Sequence, residues 1–287
     1  MQSESRGTQA APVRARLSVV IPAHQEEGVV GRCLDAFWPD LRDEAQVVVV
    51  ANGCTDRTAE VARARAGVGV VELAEGSKRL ALDAGDLAVA AYPRIYLDAD
   101  VVVTAAALRA VADVLRGPGP RAAAPRVHFV VDGRPWLIRA FYAAYSSIPY
   151  TTQGLVGLGL YGVSADGRAR FGSFPDVTSD DLFVQRTFGD DERVVVEDHR
   201  FQVETPRTMR SLLAVRTRTA QGNSELAGSG EKAHGPSTGR TVGALARRAL
   251  RDPSTLPAAV VYTVVVLLAR LRARTTPASW HRDDSTR

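Results

Sequence analysis

Short apolar runs recur through the first hundred residues, and each leads into a stretch with apolar side chains at helical spacing. Leu17-Ser-Val-Val-Ile-Pro22 is one such run, closed by proline. Gln46–Val50, Gly69–Leu73 and Arg94–Leu97 are the others. Between them, Val29–Phe37, Asp56–Ala66 and Lys78–Ala91 place apolar residues three and four apart, as an amphipathic helix does. Thr55 is a candidate cap for the second of these, with Asp56 favourable in its first turn. Strands alternating with helices predict an α/β fold, a mostly parallel sheet flanked by helices. Ligands of such sheets bind beyond the carboxyl ends of the strands. The loops Ala23–Glu27, Ala51–Cys54 and Asp98–Asp100 all lie at such ends and are expected to converge.

The second half is less regular. Ala105–Leu115 reads as a helix capped by Thr104, broken at Gly117-Pro118-Gly119-Pro120. Ala122–Val131 reads as a strand disturbed by Pro125, and Trp136–Tyr145 as an aromatic, amphipathic helix. Tyr150–Tyr161, rich in glycine and aromatics, is a binding loop or an irregular strand. A helix over Asp181–Phe188 opens on Asp180-Asp181. A strand at Arg193–Val196 and a helix at Met209–Gln221 follow. Helices are expected again at Thr241–Arg251 and Leu256–Arg272. The pattern divides the chain into a disordered lead-in (1–15), one domain (16–226), a Gly/Ser/Pro-rich linker (227–240) and C-terminal helices (241–287).

With 45% hydrophobic and 24% charged residues, a 287-residue chain has the material for a sizeable core. The net charge of +4 rests almost wholly on arginine, since Lys78 and Lys232 are the two lysines. This excess suits anionic ligands such as nucleotides or lipid phosphates and is too small to argue for nucleic acid. Cys33 and Cys54 lack metal-site spacing and read as thiols in a reducing, cytoplasmic compartment. Residues 1–15 have no apolar signal-peptide core. Leu256–Ala269 is fourteen residues without a charge, followed by Arg270, Arg272 and Arg274. A spanning helix needs roughly 17–25 apolar residues. The segment therefore reads as an anchor on the anionic inner face of the cell membrane, or as a helix packed on the domain or on a dimer partner.

The chemistry centres on Asp98 and Asp100, two residues apart where a strand leaves the sheet. Extended side chains alternate, so the two carboxylates share a face and repel unless a cation lies between them. Such hard oxygen ligands suit Mg²⁺ or Mn²⁺, which can also take phosphate oxygens of a nucleotide. Asp-x-Asp alone is common by chance. Glu26 and Asn52, on two of the converging loops, can accept from or donate to a nucleoside. Lys78 opens a helix, an unfavourable place for a cation unless an anion lies near. Gly157-Leu-Gly-Leu-Tyr-Gly162 matches a dinucleotide fingerprint literally. Ser164-Ala-Asp-Gly-Arg168 after it does not read as a helix, and no βαβ setting surrounds it. A small-residue acceptor loop bearing Gly157, Gly159 and Tyr161 is the better reading. Of the scattered histidines, His199 and His234 are candidates for a further metal ligand.

Five segments in order resemble the family-2 inverting glycosyltransferases of the GT-A fold. Ser18-Val-Val-Ile-Pro-Ala-His-Gln-Glu-Glu27 is similar to the family's opening strand and Asn-Glu-Glu loop, with Gln25 for Asn. Ala51-Asn-Gly-Cys-Thr-Asp-Arg-Thr58 resembles its Asp-Asp-Gly-Ser-Thr-Asp-x-Thr, and Lys78-Arg-Leu-Ala-Leu-Asp-Ala-Gly85 its Gly-Lys-x-x-Ala-Leu-Asn-x-Gly. Leu97-Asp-Ala-Asp100 matches the metal motif and Ser179-Asp-Asp181 the catalytic acidic motif. The resemblance implies a nucleoside diphosphate sugar bound by Pro22, Ala23, Glu26, Asn52, Lys78, Asp98, Ala99 and Arg218. It implies Mn²⁺ or Mg²⁺ on Asp98 and Asp100, and a general base at Asp181, or at Asp180 one residue upstream. Two departures stand out. Ala51 replaces the Asp that meets the base, and Val215-Arg-Thr-Arg218-Thr219 keeps only part of Gln-x-x-Arg-Trp. The missing Trp implies transfer of a single sugar to a hydroxyl acceptor rather than processive synthesis. A sugar-phosphate nucleotidyltransferase would need a Gly-rich basic loop after the first strand, where Ala23–Glu27 is acidic. An inactive nucleotide-sugar-binding module would not need Asp98, Asp100, Asp180 and Asp181 together.

Overall fold

The apolar runs of the N-terminal half become strands of one eight-stranded sheet in the computed structural model, which describes residues 15–119, 121–152, 158–176, 180–228 and 238–275. The strands are β1 (Leu17–Ala23), β2 (Ala45–Asn52), β3 (Gly69–Leu73), β4 (Arg94–Leu97), β5 (Val102–Val103), β6 (Ala122–Val130), β7 (Leu160–Val163) and β8 (Arg193–Glu204). Their order across the sheet is β3-β2-β1-β4-β7-β6-β8-β5. The first four are mutually parallel. β1 and β2 are apolar without alternation because helices cover both faces, and Val19 to Ile21 and Val47 to Val50 are buried. Beyond β4 the sheet is mixed: β7 runs antiparallel to β4 and β6, β8 parallel to β6, and β5 antiparallel to β8. This reversal matters for the site. Pairing Leu97 with Leu160 brings the amino end of β7 to the carboxyl end of β4.

Several elements depart from the sequence pattern for identifiable reasons. The expected helix Val29–Phe37 shortens to Val30–Asp35, and a further short helix, Trp38–Leu41, follows it with Pro39 in its first turn, where a missing N–H costs nothing. The expected helix Asp56–Ala66 shortens to Thr58–Arg63. Asp56 Oδ1, not Thr55, accepts from the Thr58 N–H at 3.1 Å. The strand expected at Arg193–Val196 runs on to Glu204. Its polar stretch Glu197-Asp-His199 has no partner on β6, because the register jumps from Pro125 opposite Val196 to Arg126 opposite Arg200. Pairing resumes over Arg200–Glu204, where Phe201 and Val203 alternate with polar residues. Pro125 has no N–H for the ladder, which accounts for the irregularity there. The segment after Gly157-x-Gly-x-x-Gly162 contains a short helix, Ala165–Arg168. The dinucleotide reading still fails, because β7 is flanked by antiparallel neighbours.

The C-terminal helix Leu256–Thr275 packs against the helices Trp136–Tyr145 and Met209–Gly228. Tyr262 stacks on Phe141 (centroids 5.4 Å apart, planes 27° apart) and on Tyr145 (6.3 Å, 18°). Phe129, Phe141, Tyr142 and Tyr145 complete this aromatic cluster, separate from the main core under the parallel strands. The outward stripe of the same helix, Leu256, Val260, Val264, Leu267, Leu268 and Leu271, stays about half exposed. Among the described residues, one helix, Pro253–Thr275, is long and apolar enough to cross a membrane by length and composition.

Candidate active site at the carboxyl edge of the sheet

The loops after β1 and β2 are bolted to each other. Gln25 takes a left-handed conformation (φ 56°), which Asn tolerates better than Gln does. Its Oε1 accepts from the N–H groups of Thr55 (3.0 Å) and Asp56 (3.2 Å), and its Nε2 donates to Thr55 Oγ1 at 2.7 Å. The Glu26 N–H donates to Thr58 Oγ1, and Glu27 Oε2 accepts from the Arg57 N–H. The turn after β2 needs Gly53: its φ is +61°, and a Cβ there would meet the Gly76 nitrogen at 2.6 Å. Asn52 is buried, and its Oδ1 accepts from the Ser77 N–H at 2.7 Å. Ser77 in turn caps the helix Lys78–Ala88. Asn52 therefore fixes the helix end that carries Lys78.

Lys78 sits between two carboxylates. Its Nζ lies 3.0 Å from Asp98 Oδ1 and 2.7 Å from Asp180 Oδ1. The second contact is an ion pair rather than a well-aligned hydrogen bond. These anions explain a lysine at a helix N-terminus. Burial opposes its charge, but Asp180, Asp98 and Asp181 together outweigh burial and hold its pKa well above the ordinary lysine range. Asp180 is 5% exposed, and its Oδ2 accepts from the Tyr161 hydroxyl at 2.9 Å. Tyr161 is itself buried and stacks on Tyr96, whose hydroxyl donates to Asp86. Asp86 is further held by Arg94 and Arg168. Burial pushes Asp98 up, Lys78 pulls it down, and Asp180 and Asp100 raise it again. Burial also raises Asp181, with Asp180 adding to it, to about 7.

A cavity of about 300 Å³ opens at this edge. Pro22, Ala23, Glu26, Asn52, Lys78, Asp98, Ala99, Asp100 and Arg218 all line it, so the predicted nucleotide-sugar and metal positions meet in one space. Asp180 and Asp181 stand beside it through Lys78. The expected acceptor residues are placed differently. Tyr161 lies behind Asp180 as its hydrogen-bond donor rather than in the cavity. Gly159, at φ +91°, accepts from the Asp98 N–H at 2.7 Å, and a Cβ there would lie 2.8 Å from Asp98 Oδ2. It shapes the metal motif from behind. Gly157 and His234 lie outside the described residues. His199 is on β8, at neither the cavity nor the carboxylates. Among the described residues no group of three or more His, Cys, Asp or Glu side chains clusters as a metal site.

The sequence pattern missed the other wall of the cavity, made by Phe129, Tyr142, Tyr145, Val203, Arg216 and their neighbours. The signal was present in part, as an aromatic helix at Trp136–Tyr145 and an arginine pair in Arg216-Thr-Arg218. Nothing local says that β6, β8 and two helices bring these residues to the loops of β1 and β2.

A nucleotide-binding α/β sheet whose strand ends gather a Leu-Asp-Ala-Asp carboxylate pair, a half-buried lysine and a second acidic pair defines a glycosyltransferase of the GT-A fold. The sequence model of Glycosyl transferase family 2 matches residues 18–166, more than half of the chain, and the protein belongs to that family. No curated protein matches it in sequence. Among solved structures it is similar to the mannosyltransferase PcManGT of Pyrobaculum calidifontis, determined with GDP-Man and Mn²⁺. That match has a TM-score of 0.64 at 20% identity, over 94% of this chain and 90% of that one. Glucosyl-3-phosphoglycerate synthase of Mycobacterium tuberculosis, in complex with Mn²⁺ and UDP-Glc, aligns with a TM-score of 0.53 at 20% identity (74% and 78% of the two chains). TarS 1–349 of S. aureus aligns with 0.50 at 14% (91% of each). These likenesses carry the fold.

Removing the central cation tests the electrostatic reading. Lys78→Met leaves Asp98 and Asp180 facing each other unpaired. It is expected to cost about 3 kcal/mol of stability at pH 7, the lower end for breaking a buried pair, because Asp98 stays partly wetted. Burial already pushes the Asp98 pKa up, and the variant removes the opposing pull of Lys78, so Asp98 takes up a proton as pH falls. The loss should therefore shrink toward pH 5. Urea unfolding at both pH values measures it, and an equal loss at the two would show that charge is not what Lys78 supplies.

Proposed function

We propose that the protein moves one sugar from a nucleoside diphosphate sugar to a hydroxyl acceptor with inversion at the anomeric carbon. The observation that carries this reading is the meeting of Glu26, Asn52, Lys78, Asp98 and Asp100 in one cavity with Asp180 and Asp181 alongside. In this reaction the acceptor oxygen bonds to the anomeric carbon as the bond to the diphosphate oxygen breaks on the opposite face. The acceptor proton must leave at the same time.

Of the two adjacent carboxylates, Asp181 is the base. Asp180 is buried with one oxygen on Lys78 and the other on Tyr161, so it is already fully engaged. Among the described residues Asp181 Oδ1 accepts from the neighbouring Leu182 N–H, and burial beside Asp180 lifts its pKa to about 7. A carboxylate titrating there is a stronger base than an ordinary aspartate and is still about half ionised at neutral pH.

The donor set fits a divalent ion. Asp98 and Asp100 are hard oxygen ligands lining the cavity, and Mg²⁺ or Mn²⁺ is commonly held by one or two carboxylates together with substrate phosphates. When bound, such an ion neutralises charge on the departing diphosphate. Lys78 and the Gly159 carbonyl hold Asp98 in place for it.

The reaction is proposed to occur at the cytoplasmic face of an anionic membrane. Residues 238–275 contain seven arginines against one acidic residue, Asp252, so they exceed the net charge of the whole chain and leave the remainder net acidic. The helices Thr238–Arg251 and Leu256–Thr275 expose the apolar stripe from Leu256 to Leu271 together with Val242 and Leu250. Apolar surface flanked by arginine is what an interfacial helix presents to anionic lipid.

Three measurements check these assignments. Asp100→Ala should abolish metal-stimulated nucleotide binding in calorimetry while leaving the fold intact by circular dichroism. Equal donor affinity with and without metal would remove the ion from the site. Asp181→Asn should keep donor affinity and lower turnover roughly 10²–10⁴-fold, the usual worth of a general base. Wild-type turnover should rise about tenfold per pH unit below a midpoint near 7 and level off above it, because only the ionised form accepts a proton. Asp181→Asn should lose that limb. Retained turnover in Asp181→Asn with loss in Asp180→Asn would move the base one residue upstream. Finally, vesicles rich in anionic lipid should sediment the full chain and not a chain ending near Pro253, and neutral vesicles should sediment neither.

A further inference from the structure

The aromatic wall of the cavity carries a cation that the transfer step does not use. Arg216 lines the cavity, its guanidinium 4.6 Å from the centre of the Tyr145 ring and 5.7 Å from that of Phe141. No described carboxylate forms an ion pair with it. Its hydrogen bond, from Nη2 to Thr219 Oγ1, is long at 3.4 Å, so most of its five N–H donors have no partner among the described residues. Burial works against the charge, but Tyr145, Tyr142, Tyr262 and Tyr150 offset it and the group stays protonated. Arg186, on the helix Asp180–Thr187, is a second cation without an ion pair among the described residues. Its Nη1 is buried with no partner among the described residues, and no described carboxylate pairs with it. Tyr150 registers both. Burial raises its hydroxyl well above the ordinary range, Asp181 and Tyr145 raise it further, and Arg216 and Arg186 pull it back. One tyrosine is thus within electrostatic reach of the proposed base and of both arginines.

We infer that the acceptor carries a phosphate group, which Arg216 and Arg186 receive beside Tyr142 and Tyr145 while its hydroxyl reaches Asp181. This rests on the transfer reading above. The donor diphosphate belongs with Asp98 and Asp100, so a second unpaired cationic site points to the other substrate. Two guanidinium groups match a phosphate, which carries about −1.5 to −2 charge, better than a single carboxylate. An arginine stacked on a ring keeps its planar N–H edge free for the bidentate contact that phosphate oxygens favour. Phosphate of this kind belongs either to a lipid headgroup or to a small soluble alcohol. The aromatic wall is backed by Tyr262 of the apolar C-terminal helix.

The experiment uses the full chain saturated with Mn²⁺ and with UDP or GDP, whichever binds. Calorimetric titrations compare decyl phosphate with decanol, and sn-glycerol 3-phosphate with glycerol. The phosphate-bearing member of at least one pair should bind about tenfold or more tightly than its neutral counterpart. Arg216→Gln and Arg186→Gln should each weaken it by about tenfold or more, the worth of one charge-assisted hydrogen bond, without altering nucleotide affinity. Arg216→Lys, which keeps the charge and the packing stem, should retain part of the binding. Preference for decyl phosphate identifies a lipid source, and preference for glycerol phosphate a soluble one. Equal binding of charged and neutral probes overturns the inference, as does wild-type probe affinity in both glutamine variants. A drop in nucleotide affinity in Arg216→Gln would also overturn it, by assigning the arginine to the donor. Failure to bind either nucleotide sinks the transfer reading itself, whereas nucleotide binding without phosphate selectivity sinks only the acceptor assignment.

Discussion

Asp98, Asp180 and Asp181 come from distant parts of the chain, and their charges would drive them apart without Lys78, which lies within 3.0 Å of the first two. Partly buried carboxylates this close cannot all stay ionised without a counter-charge. The lysine supplies it from the first turn of a helix, where the dipole disfavours it, and the cost is offset by two ion pairs. The same arrangement gives the carboxylates different surroundings. Asp180 is consumed in holding Lys78 and Tyr161. Asp181 stands next to a fixed negative charge with a pKa near 7. Asp98 is anchored by Lys78 on one oxygen and by Gly159 through its backbone N–H.

What lets the lysine reach both sides is the antiparallel insertion of β7. A wholly parallel continuation would send the start of β7 to the far edge of the sheet. Reversal instead sets Leu160 against Leu97, so Gly159 backs Asp98 and Tyr161 lies against Tyr96. The two tyrosines stack at 5.0 Å and reach opposite anchors, Asp180 through one hydroxyl and Asp86 through the other. Asp86 is locked by Arg94 and Arg168, so the support behind the acidic pair ends in a buried ion network rather than in solvent.

The C-terminal helices belong to this architecture as well. Tyr262 stacks on the aromatic residues that form one wall of the cavity, and Arg216 lies over the same rings. The helix Leu256–Thr275 therefore supports the cavity with its inner face while its outer face, rimmed by arginine, stays apolar and about half exposed.

The sequence by itself determined the parallel half of the sheet and most of the strand-end residues that meet in the cavity. Strands β3 and β4 and the helices Ala105–Leu115 and Trp136–Tyr145 fall where periodicity and caps put them, because those signals are local. Asp98 with Asp100 was legible from two-residue alternation at a strand end. Lys78 was legible as a cation in the wrong half of a helix, although only the fold shows which anions justify it. The long strand Arg193–Glu204 was not legible as one element, since the polar residues Glu197-Asp-His199 interrupt it and only the pairing of Arg200–Glu204 with β6, with Phe201 buried in the core, shows that it continues. Tyr161 and Gly159 looked like acceptor contacts in a glycine-rich segment; the register of β7 against β4 turned them inward as supports for Asp180 and Asp98. The choice between Asp180 and Asp181, and the pairing of Arg216 with the aromatic wall, depend on burial and on contacts between residues far apart in the chain. Those are set by how strands and helices pack, and no local pattern encodes them.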